Sequence, residues 1–527
     1  MAEGAAVRVA QGTAAGAGQH PAPWREALAC LSFANICLLR VWSETLTFTR
    51  ADRFFMQIPP GPADYGAAMA NVLLLAAAMF AAIRLGRRRL PPRAWRAVRL
   101  ASLAAVLVPL NSLRAVFSAD YPSLKAPMVV LFTPLNGGLA LAAVAAGAWL
   151  AWKQQDRLFR LVRAALVLAS PLCLLTFGQA VWSTAANGAA AFRDGPLAPR
   201  LPAARSSPRV VWVIFDEWDY RLTFVDRPAG LSLPALDRFR SESLSATRAY
   251  TPALDTGTVL PALLTGRDPR LSAHPGEKSP VDWTTLPSVL STARRAGFNA
   301  ALTGWYLPYC RIYNASLCDC AWWSMPVQAN STGGTLAEKI PGQLESLFET
   351  NTLAPFGQSA ATRQAVRIYR DYLEHSRREV ADAGFGLVFL HVPVPHAPHF
   401  YNRIAGRFDG RNRPIRGYID SLALVDRTLA DWRAAMEQSG VWEKTFVLLS
   451  ADHPFREARL LDGRFDARVP FLLRFPGAPR PLAYDARLDA IVSPSLVLAI
   501  LRGEVSDAGG AIAWLDRHPD SRALPPL

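Results

Sequence analysis

The stretch Val210-Val211-Trp212-Val213-Ile214-Phe215, followed directly by Asp216 and Glu217, decides the fold of the second part of this 527-residue chain. Six consecutive apolar residues, most of them β-branched, have the length and composition of a strand that is covered on both faces. Acidic side chains at the end of such a strand lie where open parallel sheets bind their ligands. The stretch therefore predicts a buried parallel strand with a candidate ligand site at its carboxyl end.

Further apolar runs of strand length follow, and helix-like stretches separate them. The runs lie at 298–303, 386–392, 445–450 and 469–475, and helical periodicity occurs at 287–296, 362–383 and 419–438. Alternating strands and helices indicate a mainly parallel sheet flanked by helices. We therefore predict one α/β domain over residues 209–527, preceded by a linker at 186–208 that is rich in Ala, Pro and Arg.

Residues 1–185 are predicted to form an α-helical membrane sector of about five transmembrane helices. Each of five apolar stretches is long enough to cross about 30 Å of hydrocarbon, and they lie at 27–46, 65–83, 100–117, 129–152 and 164–182. The first is the weakest, because Arg40 interrupts it and Glu44 lies near its end. A signal peptide is the alternative for this stretch, but no convincing small-residue cleavage site closes it.

The excess positive charge lies in this N-terminal part. The formal net charge is +15, and residues 1–183 hold 18 of the 57 Lys and Arg residues but only 7 of the 42 Asp and Glu residues. Basic residues beside apolar spans indicate a lipid bilayer, rather than nucleic acid, as the partner. The spans lack paired charges, which argues against a transporter.

The basic connections predict the orientation of the spans, since Lys and Arg accumulate on the cytoplasmic side. Connections 84–99 and 153–163 carry most of these residues, whereas the intervening ones hold only Arg50, Arg53 and Lys125. We therefore expect a multi-pass protein of the cytoplasmic (inner) membrane with a cytoplasmic N-terminus. The α/β domain is then periplasmic or extracellular.

Three of the six cysteines cluster in the part expected outside, at Cys310, Cys318 and Cys320. An oxidising compartment favours one disulfide among them. Cys310 with Cys318 or with Cys320 is the expected pairing, which leaves one thiol over. A zinc knuckle is the alternative, and three cysteines without a nearby His suit it poorly.

Carboxylate and imidazole groups follow three of the predicted strands. They are Asp216 and Glu217 after the first run, His391 and His396 at the end of the third, and Asp452 and His453 at the end of the fourth. Such oxygen and nitrogen donors at one sheet edge suit a divalent cation such as zinc or manganese. The structural alternatives are a turn or helix cap for the acidic pair and a hydrogen-bonded core residue for His391.

Several of these segments carry a resemblance to a known family. The segments 210–220, 256–266 (TGTVLPALLTG), 391–399, 448–453 and 468–477 resemble, in order and rough spacing, the sulfatase-like branch of the alkaline phosphatase superfamily. Together they cover about residues 208–480. Five spans ahead of an external domain also resemble the layout of phosphoethanolamine transferases and lipoteichoic acid synthases.

The resemblance implies a nucleophile at Thr256. Sulfatases begin this block with the Cys or Ser of a Cys/Ser-x-Pro-x-Arg motif, which is oxidised to formylglycine. The same interval before Leu263 reaches Thr256 here, and Thr cannot form formylglycine. In the phosphoethanolamine transferases a metal-bound Thr stands five residues before a Pro, as Thr256 stands before Pro261. Thr258 is the second candidate, and a helix cap is the structural alternative for Thr256.

The resemblance also implies a metal site and substrate contacts. The implied ligands of one divalent metal, Zn or Mn rather than Ca or Mg, are Asp216 or Glu217, Thr256, Asp452 and His453. His396 would hold the substrate or protonate the leaving group, and His399, Arg456 and Arg468 are candidate substrate contacts. The sequence departs from the family pattern at Pro454, where a Gly usually follows Asp-His, and at Glu217, where the second acidic residue is usually Asp.

The expected function is that of a membrane-anchored, metal-dependent phosphotransferase or phosphodiesterase that acts on membrane lipids or lipid-linked glycans of the cell envelope. A sulfuric ester hydrolase is one alternative, because the same fold can act on a different electrophile. A non-catalytic envelope scaffold is the other, since the sulfatase motif is lost. Fold alone does not choose among these three.

Overall fold

The computed structural model describes residues 22–46, 60–117, 134–186, 194–202, 208–267, 286–324, 335–351, 360–409, 415–477 and 480–518. The chain divides into two compact units, residues 1–43 with 68–181 and residues 44–67 with 182–527. Residues 44–67, which the sequence assigned to the membrane sector, thus belong to the second unit. Of the predicted linker, residues 187–193 and 203–207 lie outside the described ranges.

Most of the described residues up to 186 are helical. The helices are Pro23–Cys37, Leu39–Leu46, Pro62–Arg89, Pro92–Ala104, Leu107–Phe117, Pro134–Leu168 and Pro171–Ala186. Three stretches are long and apolar enough to cross a membrane, Pro62–Arg89, Pro92–Arg114 and Leu141–Ala185. The first two helices, bent by 61°, make a fourth if they are counted as one span. Within the described ranges this gives three or four candidate spans, where the sequence predicted five.

The difference arises at the predicted connection between the fourth and fifth spans. Helix Pro134–Leu168 runs through residues 153–163 without a break. This segment contains no Gly or Pro, and Lys, Gln, Arg and Leu are good helix formers. The helix ends just before Pro171, which cannot supply a backbone N–H to continue it. The start of the fourth predicted span, residues 129–133, lies outside the described residues.

The second unit is built on strands that the sequence largely predicted. They are β1 (Arg209–Asp216), β2 (Ser243–Ala246), β3 (Ala249–Tyr250), β4 (Ala300–Trp305), β5 (Asp319–Trp323), β6 (Leu387–Pro395), β7 (Tyr401–Asn402), β8 (Arg407–Phe408), β9 (Thr445–Ala451), β10 (Phe471–Arg474), β11 (Leu482–Tyr484) and β12 (Leu488–Asp489). Eight of them form one sheet in the order β11-β2-β10-β9-β1-β6-β4-β5. β3 with β12 and β7 with β8 form two small sheets.

The centre of the large sheet is parallel, which confirms the predicted fold. β1 pairs in parallel with β6 and with β9, and β4 pairs in parallel with β6 and β5. β10 runs antiparallel to β9 and β2. The carboxyl ends of β1, β4, β6 and β9 therefore meet at one edge.

Helices accompany this sheet in the second unit. They are Pro234–Ser241, Thr256–Thr265, Val289–Arg295, Tyr309–Tyr313, Leu336–Asn351, Ala360–Ala381, Gly417–Gln438, Arg459–Asp462, Ser493–Leu501 and Ala508–Arg517. Strand β1 is buried along its whole length, and the Trp212 ring meets Phe389 of β6 edge to face at 5.0 Å. Each large apolar side chain buried in this way stabilises the fold by about 1.5–3 kcal/mol. This burial holds the end of β1 at a fixed place.

The cysteine cluster forms one disulfide in the structure. Cys310 is bonded to Cys320, which is one of the two partners left open by the sequence, and Cys318 is free.

We expect peptide mapping of unreduced protein, isolated from the envelope with thiols blocked, to recover the Cys310–Cys320 link. Cys310→Ser should lower the free energy of unfolding by about 3 kcal/mol on the chain-entropy account of so short a loop. Three free thiols would contradict both the pairing and an oxidising location.

Candidate active site

Thr256 is the first residue of helix Thr256–Thr265 and faces the carboxyl end of the sheet. The helix is capped by Asp255, whose Oδ1 accepts a hydrogen bond of 2.9 Å from the Thr258 N–H. The hydroxyl of Thr256 is therefore not needed as a cap. Its side chain is 8% exposed, and Oγ1 donates a hydrogen bond of 2.7 Å to Asp452 Oδ2. The helix N-terminus favours negative charge at this position.

Three buried side chains gather around the Thr256 hydroxyl and could hold a metal ion. They are Asp216, Asp452 and His453. His453 Nε2 lies 3.3 Å from Thr256 Oγ1, 3.4 Å from Asp452 Oδ2 and 3.7 Å from Asp216 Oδ1. Ligand atoms at about 2.0–2.1 Å from a tetrahedral zinc ion lie roughly 3.3 Å apart. The distances from His453 Nε2 to the other three atoms therefore suit one small divalent cation.

Backbone groups orient two of these ligands. His453 Nδ1 lies 3.0 Å from the Pro454 carbonyl, which leaves Nε2 with its lone pair toward the cluster when Nδ1 carries the proton. Asp452 Oδ1 accepts hydrogen bonds from the backbone N–H groups of Glu217 (3.1 Å) and His453 (2.8 Å). Asp452 Oδ2 is thereby turned toward Thr256. The Pro in place of the usual Gly thus does not disturb the ligand, since only its carbonyl takes part.

Asp216 has a buried carboxylate oxygen, Oδ1, that a cation could bind. Its Oδ2 accepts a hydrogen bond of 2.9 Å from Trp305 Nε1, but its buried Oδ1 has no hydrogen-bond partner among the described residues. The buried Nε2 of His391, 3.9 Å from Asp216 Oδ2, also lacks one there. Buried polar atoms without partners are costly. The residues present therefore fit a divalent cation.

The electrostatics of the cluster favour a positive ion. Burial, reinforced by the charges of Asp452 and Glu217, raises the pKa of Asp216 well above its usual value. Burial likewise lowers the pKa of His391 to about 4, so this imidazole is neutral at pH 7. Two carboxylates that share a buried site repel each other, and a divalent cation removes this cost.

The structure separates the two acidic residues that the sequence left as alternatives. Glu217 adopts a left-handed backbone conformation, with φ of 64°, and its Oε1 accepts a hydrogen bond of 3.0 Å from Arg456 Nε. Its carbonyl accepts a hydrogen bond of 2.7 Å from the Tyr418 hydroxyl. Asp216 lies in the cluster that could hold a metal, whereas Glu217 binds Arg456.

The sulfatase family model matches residues 208–499, more than half of the chain. The chain belongs to the sulfatase family. It is a sulfatase-like enzyme of the alkaline phosphatase superfamily, as the sequence motifs predicted, and enzymes of this kind depend on a metal. No curated protein matches the chain.

Solved structures also resemble the sulfatase domain. The crystal structure of Ps i-CgsB with k-i-k-neocarrahexaose is 16% identical over 60% of this chain and 77% of that chain, with a TM-score of 0.44. The PsFucS1 sulfatase from Pseudoalteromonas sp. is 16% identical over 60% and 74%, with a TM-score of 0.43. The phosphonate monoester hydrolase of Agrobacterium radiobacter is 16% identical over 56% and 74%, with a TM-score of 0.39.

The remaining predicted residues lie at different distances from the cluster. His396 packs its ring 5.3 Å from Trp305, whose indole N–H binds Asp216, so it lies beside the site. His399 is 3% exposed, with Nδ1 3.1 Å from Ser421 Oγ, and burial lowers its pKa to about 4. His399 therefore supports the loop rather than the cluster. Arg456 keeps 46% of its side chain exposed and can meet an anion.

The Arg468 side chain makes contacts with Asp466, Thr247 and Tyr220 rather than with the cluster. Its guanidinium pairs with Asp466 at 2.6 Å and lies over the Tyr220 ring at 4.7 Å. Another of its nitrogens donates to the Thr247 carbonyl at 3.3 Å. These contacts connect separate segments of the domain and leave the prediction of a substrate contact without support.

The sequence reading did not select the aromatic residues that line the site. Trp305 ends β4 and binds Asp216, and the Tyr309 hydroxyl lies 2.7 Å from His391 Nδ1. The sequence did contain a signal for Trp305, because the predicted strand 298–303 should end at the same sheet edge as the other parallel strands. Trp305 comes two residues after the end of this run and carries an indole N–H, so it could have been predicted as a site residue.

Proposed function

We propose that this chain is a membrane-anchored, metal-dependent phosphotransferase or phosphodiesterase that acts on membrane lipids or lipid-linked glycans of the envelope through Thr256. One observation carries the proposal: the Thr256 hydroxyl lies at a helix N-terminus, 2.7 Å from Asp452 Oδ2 and 3.3 Å from His453 Nε2. A threonine held among metal-ligating atoms is placed to act as a nucleophile.

The reaction requires an activated hydroxyl and a stabilised leaving group. When bound, a divalent cation held by Asp216, Asp452 and His453, zinc or manganese in preference to calcium or magnesium, lowers the proton affinity of the hydroxyl and neutralises phosphoryl charge. Asp452 Oδ2 accepts the hydroxyl hydrogen bond and so fixes the position of Oγ1. The Thr256 Oγ1–P bond forms as the bond from phosphorus to the leaving oxygen breaks, and the hydroxyl proton passes to its hydrogen-bond partner, Asp452 Oδ2.

The surrounding residues of the sulfatase domain suit an anionic ester. Arg456, held by Glu217 and half exposed, supplies positive charge at the edge of the cluster. His396 lies beside Trp305 and can give a proton to the departing oxygen. Water or a second alcohol then releases the phosphoryl group from Thr256.

The apolar helices and the disulfide support a location for the enzyme. The candidate spans support a multi-pass anchor in a bilayer, and helix Pro62–Arg89 ends in Arg87, Arg88 and Arg89, as expected on the cytoplasmic side. The Cys310–Cys320 bond supports an oxidising compartment for the sulfatase domain. On the ground of this disulfide we place the protein in the cytoplasmic membrane with this domain in the periplasm or outside the cell, which requires an odd number of spans between Arg89 and the domain.

The substrate class can be tested with three compounds. Full-length protein in detergent, loaded with manganese or zinc, is given phosphatidylethanolamine, phosphatidylglycerol or an aryl sulfate. We expect release of diacylglycerol as the leaving alcohol, and a phosphoethanolamine or phosphoglycerol adduct on the Thr256 peptide. Sulfate release without phosphoryl transfer would establish the sulfuric ester hydrolase instead. Inactivity toward all three, with metal bound, would favour the scaffold.

A further inference from the structure

A second cluster of metal-ligating side chains lies at the edge of the sheet. Asp319 begins β5, the last strand of the sheet, and His375 and Glu379 lie one turn apart on helix Ala360–Ala381. Asp319 pairs with Ala301 near the start of β4, whereas Trp305 at the other end of β4 binds the active-site Asp216. Along β4 the two clusters are thus roughly 13 Å apart.

The distances between the ligand atoms of this second cluster suit a cation better than direct hydrogen bonds. His375 Nε2 lies 3.4 Å from Asp319 Oδ1 and 3.5 Å from Glu379 Oε1. Hydrogen bonds between nitrogen and oxygen are shorter, about 2.7–3.2 Å. Ligands of a tetrahedral zinc ion stand about 3.3–3.4 Å apart. The three ligand atoms all lie within 4.8 Å of one another, close enough to share one small ion.

Glu379 provides an independent observation, because it is a buried carboxylate with an unmatched oxygen. The residue is 1% exposed, and its Oε2 accepts a hydrogen bond of 2.5 Å from Thr303 Oγ1. Its buried Oε1 faces the cluster and has no hydrogen-bond partner among the described residues, and the same holds for His375 Nε2. Thr303 thus fixes a carboxylate whose second oxygen is directed at His375.

We propose that Asp319, His375 and Glu379 bind a structural Zn²⁺ ion. Two carboxylates balance the charge of the ion, and the imidazole supplies the nitrogen ligand that zinc accepts and calcium does not prefer. The side chains of Asp319 and His375 are 35% and 20% exposed, so a water molecule can reach the fourth position. His375 Nδ1 faces Arg378 at 3.3 Å, and this exposed arginine can turn away when the imidazole binds the metal.

The ion would fasten an edge strand to a helix. β5 is an edge strand with one neighbour, β4, and edge strands are the least constrained part of a sheet. The zinc ion would link its first residue to a long helix, and the next residue, Cys320, is already bonded to Cys310. The zinc ion and the disulfide would both anchor the start of β5.

The zinc content of full-length protein in detergent tests this proposal. After equilibration with zinc and removal of the excess, we expect Glu379→Gln and Asp319→Asn each to lower the bound zinc by one ion per chain. The loss should be the same in the wild-type and in an Asp452→Asn background, where the active-site metal is weakened. Zinc should also raise the melting temperature of the Asp452→Asn protein, and Glu379→Gln should abolish this rise.

Glu374→Gln is the matched control, because Glu374 is exposed on the same helix, one residue from His375. This variant should keep the zinc content of its parent. Asp319→Asn changes a partly exposed side chain and keeps its size, so it separates metal loss from misfolding of Glu379→Gln. Unchanged zinc content in folded Asp319→Asn, or equal loss in Glu374→Gln, would overturn the proposal. Neither outcome bears on the activity proposed for Thr256.

Discussion

The Thr256→Ala variant is expected to lose at least about three orders of magnitude in kcat/KM while it keeps its metal. The nucleophilic oxygen is removed, and no other hydroxyl in the described structure is placed 2.7 Å from Asp452 Oδ2. Asp216, Asp452 and His453 remain as three metal ligands. Turnover of the phosphoester and metal content, measured on the same preparation, check both parts of the prediction.

Thr258→Ala is the matched control for this variant. Thr258 lies two residues further along the same helix, and its backbone N–H, which the substitution preserves, makes the hydrogen bond to Asp255. We expect a loss of no more than about tenfold. Full activity in Thr256→Ala would refute the covalent mechanism, and a larger loss in Thr258→Ala would transfer the nucleophile to that residue.

The sequence predicted the strands at the centre of the sheet because their short apolar runs are best explained as buried strands. Val210–Phe215 is too short for a spanning helix and too apolar for an exposed strand, and it became β1 between β6 and β9. The antiparallel direction of β10 could not be read in this way. Strand direction depends on the path of the chain between strands, which the run 469–475 does not encode.

The structure brings the candidate metal ligands Asp216, Asp452 and His453 together, but the sequence did not specify their arrangement. The sequence left Asp216 and Glu217 as alternatives, because two adjacent side chains after a strand point in opposite directions and a single turn angle selects one. The left-handed φ of Glu217 makes that selection and sends its carboxylate to Arg456. Likewise, separations of eight and ten residues both allow a disulfide with Cys310, so spacing could not choose Cys320.

In the N-terminal helices, hydropathy did not predict where one helix ends and the next begins. Hydropathy separated the fourth and fifth spans at the basic residues 153–163, whereas the backbone there follows helix propensity. Hydropathy reports where a side chain prefers to lie and does not report where a helix ends. The break at Pro171 is the feature that the backbone itself required.

The Asp452→Asn variant is expected to lose metal and activity together. Asparagine keeps the shape of the side chain and an oxygen for the N–H groups of Glu217 and His453. It replaces the anionic Oδ2, however, with an amide or with a neutral oxygen beside Thr256. We expect metal affinity to fall by about a hundredfold or more, and activity at limiting metal to fall in parallel. Excess manganese or zinc should restore part of the activity.

Asp255→Asn is the control that isolates the role of Asp452, because it removes a carboxylate at the start of the same helix as Thr256. Asn caps a helix about as well as Asp, so this variant should keep both the helix and the metal. Titration of each metal-free variant with zinc, followed by turnover at every metal concentration, gives the two quantities to compare. If Asp452→Asn bound metal normally but turned over no substrate, Asp452 would act on the Thr256 proton alone. The ion would then have to be held by Asp216 and His453 with other ligands, and the four-atom site derived from the distances would be wrong.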